Sequence, residues 1–298
     1  MAFMKTSIFT GSAVAIITPM NEDLSVNYEV LGEIIDDQIK NSTDAIVIVG
    51  TTGESSTLTD EEHVKCIQYA VERAAGRVPV IAGTGSNHTD YALWLSKEAE
   101  KVGANALLQV TPYYNKTSQA GLVKHFTAIA DAVNLPMILY NVPSRTGMTI
   151  APKIYQELSK HPNIVAAKEA SGNFSAIAET RYLCGDDLDF YSGNDDQIVP
   201  MLSLGGKGVI SVLSNVAPKE THDICQLYFD GKIAESAALQ IKYMGLIQAL
   251  FCDVNPIPVK KAMNLLGWKA GECRLPLTEM SSENKARLEK EMKAVGLI

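Results

Sequence analysis

The run IVAAK (164–168) is apolar at every position but the last and shows none of the alternation expected of a strand with one wet face. A strand that reads this way is buried on both faces, as parallel sheets require. The same look recurs on either side of it. MILY (137–140), ALLQV (106–110), VPVIA (78–82), AIVIV (45–49) and AVAII (13–17) precede it, and LDFYS (188–192) and GVISV (208–212) come after, making eight short runs. Helix-period segments lie between and after them, over 27–40, 59–74, 89–102, 118–133, 151–160, 173–184, 195–203 and 218–230. The repeat of roughly 25 to 30 residues is the size of one strand plus one crossover helix. Eight such units closing on themselves predict an α/β protein with a (β/α)8 TIM barrel. An open, doubly wound sheet also alternates strand and helix, but it usually carries a glycine-rich dinucleotide fingerprint after its first strand, and GSAVAIITPMNED (11–23) has none.

Beyond residue 230 the character changes. GKIAESAALQIKYMGLIQALF (231–251), NPIPVKKAMNLLG (255–267) and SSENKARLEKEMKAVG (281–296) predict two or three further helices separated by Pro and Gly. The expected organisation is a catalytic barrel over 1–230 and a C-terminal helical region over 231–298.

Composition narrows the function. With 298 residues, 46% of them hydrophobic, the chain can bury a substantial core. A formal charge of −8 without a Lys/Arg cluster argues against nucleic acid or an anionic membrane as partner. No window approaches 18 consecutive apolar residues, and the N-terminal MAFMKTSIFTGSAVAIITPM (1–20) reads as the first strand rather than a secretion signal. Cys66, Cys184, Cys225, Cys252 and Cys273 are odd in number, widely spaced and contain no CxxC pair, so neither a disulfide framework nor a zinc site is expected. A reducing cytoplasm fits that usage.

Barrel chemistry gathers at the carboxyl ends of strands. There the sequence is rich: AIVIV runs into GTTGES (50–55), ALLQV into TPYYN (111–115), MILY into NVPSRTG (141–147), IVAAK into EASGN (169–173) and LDFYS into GNDD (193–196). Lys168 ends its strand where the side chain projects into the barrel mouth. Desolvation there favours the neutral amine, the form that attacks a carbonyl to give a Schiff base. The plain alternative is an ion pair, but neighbouring strand residues face opposite ways, which makes Glu169 a poor partner. Thr51 and Thr52, between Gly50 and Gly53, could present hydroxyls and backbone N–H groups to a small carboxylate, or simply form a βα turn. Tyr113, Tyr114 and Tyr140 could pass protons along a hydrogen-bonded chain, or pack as ordinary aromatics. Arg145 could grip a carboxylate bidentately, or lie solvated on the surface. Taken together, a strand-end lysine, a hydroxyl–phenol relay and a carboxylate-binding arginine suit carbon–carbon bond chemistry through an enamine.

The ordered series GSAVAIITP, GTTGE, GTGSN (83–87), TPYYNK, YNVPSRTG, KEASGN, YSGNDD, GVISV and NPIPVKKAMNLLG resembles the dihydrodipicolinate synthase (4-hydroxy-tetrahydrodipicolinate synthase) family, within the pyruvate-dependent class I aldolases that include N-acetylneuraminate lyase. The resemblance implies a lyase in lysine and diaminopimelate biosynthesis. It would condense pyruvate with L-aspartate 4-semialdehyde and need neither metal nor organic cofactor. It implies Lys168 as the Schiff-base lysine, Tyr140 as the proton-relaying phenol, and Thr51 and Tyr114 as the rest of the relay, with Tyr114 reaching in from a neighbouring subunit. Thr52 would hold the pyruvate carboxylate, Arg145 the carboxylate of the aldehyde, and Gly193 and Ile210 would line the pyruvate pocket. The implied assembly is a homotetramer of tight dimers.

In lysine-inhibited relatives a lysine site lies at the dimer interface, which this chain matches at Ser55, His63, Asn87 and Tyr113. Asp60 stands where they carry a histidine, and Tyr91 where they carry a glutamate that grips the ligand's ammonium. Loss of that charge-assisted bond implies weak or absent inhibition. Within the same chemistry the alternatives are a sugar-acid aldolase such as N-acetylneuraminate lyase; outside it, a non-catalytic 2-oxo acid sensor.

Overall fold

Eight strands close into a barrel in the computed structural model, which describes residues 5–298: β1 (Gly11–Ala15), β2 (Ala45–Ile48), β3 (Val80–Gly83), β4 (Ala106–Val110), β5 (Met137–Asn141), β6 (Ile164–Glu169), β7 (Asp189–Ser192) and β8 (Gly208–Ser211). Each pairs in parallel with the next, and β8 pairs with β1. Of the N-terminal stretch read as the first strand, Gly11–Ala15 forms β1, and residues 1–4, also part of the region expected over 1–230, lie outside the described residues.

The eight apolar runs all become strands, displaced by at most two residues. Around the barrel the helices begin where their caps stand. Asn27, Thr59, Ser118 and Asn173 accept backbone N–H groups at the starts of Tyr28–Lys40, Asp60–Ala74, Gln119–Asp131 and Phe174–Cys184, and Thr59 forms a full capping box with Glu62. Each satisfies an N–H that a helix end would otherwise leave unpaired. The segment expected as one helix over 195–203 instead opens with a single 3-10 turn, Asp195–Gln197, before the helix Ile198–Ser203. The buried Asp195 side chain is used to receive the backbone N–H groups of Val212 and Leu213, so the turn faces the neighbouring loop.

Alternate strand residues divide into two cores. The outward set, including Ile46, Leu107, Leu139 and Ala167, packs beneath the helices. The inward set, including Ala13, Ala45, Ala106, Ile138, Ala166 and Ile210, fills the barrel with mostly small side chains. Phe9 stacks on Tyr191 at 4.2 Å between ring centroids, and the Tyr191 hydroxyl donates to the Phe9 carbonyl at 2.7 Å, fixing the chain that enters β1 against the barrel interior. On β6 the register shifts opposite Met137/Ile138, so Val165 has no partner on β5. A bulge re-aims the side chains beyond it; here Tyr140 pairs with Lys168 across the two strands and the two side chains meet at the barrel mouth.

The region after residue 230 holds four helices rather than two or three: Ile233–Lys242, Met244–Ala249, Ile257–Leu265 and Ser282–Val295. The apolar run 231–251 is broken at Tyr243, whose ψ of 0° leaves the helical path while its ring is buried. Among the described residues no helix is long and apolar enough to cross a membrane.

Candidate active site

At the carboxyl ends of the strands lies a cavity of about 370 Å³ whose lining includes Thr51, Thr52, Tyr140, Arg145, Lys168 and Gly193. These six of the expected residues come from separate strands and the loops after them, brought together because the strands converge on one rim. Lys168 is 6% exposed and receives no hydrogen-bonded carboxylate among the described residues. Its ammonium nitrogen stands 4.3 Å from the centroid of the Tyr140 ring. Burial lowers its pKa to about 8, with the Asp195 carboxylate raising it and the Arg145 guanidinium lowering it. A buried amine that gives up its proton this readily supplies a nucleophile near neutral pH.

Glu169 faces the other way, as strand geometry demands. It accepts hydrogen bonds from the Tyr155 hydroxyl at 2.6 Å, from Asn141 at 2.9 Å and from Ser171 at 2.7 Å, away from the lysine. Tyr140 is buried, and burial pushes its phenol up to about 12, with Arg145 opposing. At that value it keeps its proton and can donate or return it. Gly193 closes against the lysine: a Cβ there would stand 3.2 Å from Lys168 Cε and 2.8 Å from Ala170 Cβ. Only a residue without a side chain leaves the lysine room to move.

The turn after β2 is held under strain. Val49 and Glu54 adopt left-handed φ values of 49° and 56°, which cost of order 1–3 kcal/mol each and persist only where surroundings enforce them. The surroundings here come from the C-terminal region. Lys260 Nζ donates to Glu54 Oε1 at 2.8 Å, the Arg274 backbone N–H to Glu54 Oε2 at 2.9 Å, and Asn255 Nδ2 to Thr52 Oγ1 at 3.0 Å. Phe251, Asp253, Val254 and Asn255 also line the cavity. Sequence reasoning misses this wall. Its one signal is a lysine, Lys260, among the apolar residues of NPIPVKKAMNLLG. Sequence reasoning also misses Asp195 within GNDD, which is buried beside the site with Oδ1 unpartnered among the described residues.

Two expected residues lie apart from the cavity lining. Ile210 is buried on β8 in the barrel interior, and Val212 lines the cavity instead. Tyr114 is 92% exposed, with φ of 69°. Within one chain no hydrogen bond among the described residues joins Thr51, Tyr140 and Tyr114.

The residues matched to a lysine site are engaged within the chain. His63 Nε2 lies 2.8 Å from the Gly83 carbonyl, and burial lowers its pKa. Asn87 donates to the Tyr113 carbonyl at 3.1 Å, and Ser55 opens the short turn Ser55–Thr57. The Tyr91 hydroxyl donates to Asp60 at 2.7 Å, so the two departing positions are partners of each other.

The Dihydrodipicolinate synthetase family model matches residues 8–295. The chain is 58% identical over 293 residues to the 4-hydroxy-tetrahydrodipicolinate synthase of Lachnoclostridium phytofermentans, covering 98% of this chain and 100% of that protein. It is 55% identical over 290 residues to the protein of the same name from Caldicellulosiruptor saccharolyticus, covering 97% and 98% respectively. Among solved structures, the dihydrodipicolinate synthase of Aquifex aeolicus superposes with a TM-score of 0.95 at 46% identity, over 97% of this chain and 99% of that one. Sequence and architecture agree over nearly the whole length, and the chain belongs to the dihydrodipicolinate synthetase family.

Proposed function

We infer that the protein is a 4-hydroxy-tetrahydrodipicolinate synthase, a Schiff-base-forming lyase that condenses pyruvate with L-aspartate 4-semialdehyde in lysine and diaminopimelate biosynthesis. The single observation that carries the mechanism is Lys168, buried, without a carboxylate partner and with its pKa lowered to about 8, on the cavity wall beside Tyr140. Its neutral amine attacks C2 of pyruvate, and water leaves to give an iminium. Loss of a C3 proton makes the enamine, whose C3 bonds to the aldehyde carbon of the second substrate. The second substrate's amine then displaces the lysine at C2, closing the ring and freeing Lys168.

Tyr140 moves protons to and from the departing oxygen, with Thr51 and the Tyr114 of a neighbouring subunit completing the relay. The exposure and strained backbone of Tyr114 support a second copy covering it, in a homotetramer of tight dimers. Thr52 holds the pyruvate carboxylate and Arg145, exposed at the mouth, the carboxylate of the aldehyde. Gly193 and the backbone at Ile210 shape the pyruvate end. The barrel over 1–230 carries the reacting groups and the helical region over 231–298 contributes one wall. The expected compartment is the cytoplasm.

Borohydride reduction in the presence of pyruvate tests this directly: a stable adduct should map to Lys168. Turnover with pyruvate and aspartate semialdehyde, and none with pyruvate and N-acetylmannosamine, separates the reaction from that of a sugar-acid aldolase. An intact protein that never forms the adduct would be a sensor at most.

Inhibition by lysine is expected to be weak, because the Asp60 carboxylate is already bonded to Tyr91 and an incoming ammonium must displace that phenol. Half-inhibition at micromolar lysine, with lysine located at Ser55, Asn87 and Tyr113, would overturn this.

A further inference from the structure

Asn255 lies outside the barrel, between the helices Met244–Ala249 and Ile257–Leu265, yet it reaches two separate parts of the site. Its Nδ2 donates to Thr52 Oγ1 at 3.0 Å, and its backbone carbonyl accepts from Arg145 Nη2 at 3.4 Å. The residue is 5% exposed, and its Oδ1 has no partner among the described residues. A threonine hydroxyl has one proton and two lone pairs. With one lone pair of Thr52 occupied by the Asn255 amide, and no other hydrogen bond to that oxygen among the described residues, the hydroxyl proton is free to turn toward the cavity that Thr52 lines.

We propose that Asn255 is a positioning residue that turns the Thr52 hydroxyl toward the carboxylate of the 2-oxo acid and steadies Arg145 at the mouth, so that one residue of the C-terminal region couples the two carboxylate sites. The inference rests on the proposed roles of Thr52 and Arg145 as carboxylate-binding residues. It makes an unusual demand of the side chain at 255. An amide donates to Thr52, whereas a carboxylate of the same size can only accept, which draws the Thr52 proton away from the ligand and sets a negative charge beside it. For a position that merely fills space, the effect of alanine would be the same with or without the Thr52 hydroxyl; for one that directs that hydroxyl, it would vanish with it.

The experiment compares wild type, Asn255→Asp and Asn255→Ala as full-length protein, each checked by circular dichroism and thermal melting. The readouts are borohydride trapping against pyruvate concentration and steady-state KM and kcat for both substrates. Asn255→Ala should raise the half-saturating pyruvate concentration about threefold to tenfold, the worth of one neutral hydrogen bond. Asn255→Asp should raise it further, by about thirtyfold or more, as a misdirected and charged contact requires. Both should change KM for pyruvate more than kcat. In a Thr52→Val background Asn255→Ala should add little, because the hydroxyl it directs is gone. This cycle keeps the test decisive if the aspartate variant does not fold. Aspartate performing as well as wild type, alanine performing worse than aspartate, or full additivity with Thr52→Val would overturn the proposal. Failure of wild type to form any adduct would instead strike the Schiff-base reading itself.

Discussion

Two lysines are almost completely buried in this barrel, and they have opposite fates. Lys260, 2% exposed, is bonded to the Glu54 carboxylate at 2.8 Å and the Glu272 carbonyl at 2.7 Å. Lys168, 6% exposed, faces a tyrosine ring and a cavity; it has no hydrogen-bonded carboxylate, and the Asp195 carboxylate and the Arg145 guanidinium act on its charge in opposite directions. Burial is common to both, so burial by itself does not mark a reactive amine. What separates them is pairing. An ammonium bonded to a carboxylate in a dry site becomes part of the scaffold. One without a hydrogen-bonded carboxylate is pushed by burial toward its neutral form, the form able to attack a carbonyl. The two are also connected, because the Lys260–Glu54 pair braces the strained turn that offers Thr51 and Thr52 to the cavity containing Lys168.

The contrast can be broken most severely at Lys168. Lys168→Ala should abolish the pyruvate adduct and lower kcat by at least about a thousandfold, as expected when a covalent nucleophile is removed. Its thermal midpoint should stay within a few degrees of wild type, because no hydrogen-bonded partner is stranded and Asp195, the nearby carboxylate, keeps the backbone N–H groups of Val212 and Leu213. A melting curve lowered as far as that of a Lys260 variant would show that Lys168 is structural after all.

Lys260→Met should act the other way round. Removing the ammonium leaves Glu54 as an uncompensated buried carboxylate, a loss of about 3–5 kcal/mol. Urea unfolding monitored by fluorescence measures it, and the lysine at 168 should still react with pyruvate in whatever fraction remains folded. A midpoint equal to wild type would mean that the pair contributes nothing.

The pairing argument also fixes a pH dependence. With the pKa of Lys168 near 8, the neutral amine decreases about tenfold for each pH unit below that value and reaches its plateau above it. The rate of adduct formation at low pyruvate should therefore climb from pH 6 to about 8 and then level. Stopped-flow trapping that continues to rise toward pH 10 would place the lysine at its ordinary value.

The smallest effect is the most discriminating for the scaffold pair. Replacing both members, Lys260→Met with Glu54→Leu, should recover most of the stability lost in the single variant, to within about 1–2 kcal/mol of wild type, since apolar residues can stand in for a buried pair. A double variant as unstable as Lys260→Met alone would assign the cost to packing rather than to the stranded charge.

How far the site is readable from the chain depends on where each residue stands relative to a strand. Lys168, Tyr140, Thr51 and Thr52 end or follow apolar runs, and in a barrel the end of a strand is the rim of the site, so the order of runs and endings is enough to assemble them. Asn255 ends no strand, and nothing in its local sequence says that its amide meets Thr52, 203 positions earlier. The same holds for Glu54 and Lys260, separated by 206 positions: a lysine among apolar residues hints that Lys260 is buried, but nothing local says that Glu54 is its partner. The break at Tyr243 is hidden because the apolar period runs through it, while the ring's burial is a matter of what packs above it.

The sequence by itself determined the eightfold alternation, the helix starts at Asn27, Thr59, Ser118 and Asn173, and the strand ends at which Lys168, Tyr140, Thr51 and Thr52 gather, because periodicity, capping and strand ends are local properties of the chain. Only the tertiary structure decided that Lys260 is paired and Lys168 is not, that Glu54 is locked in a left-handed turn, and that a C-terminal asparagine completes the wall of the cavity. Those outcomes depend on which distant groups share a desolvated space, and in such a space a single hydrogen-bond partner settles whether a buried lysine braces the scaffold or is left facing the cavity.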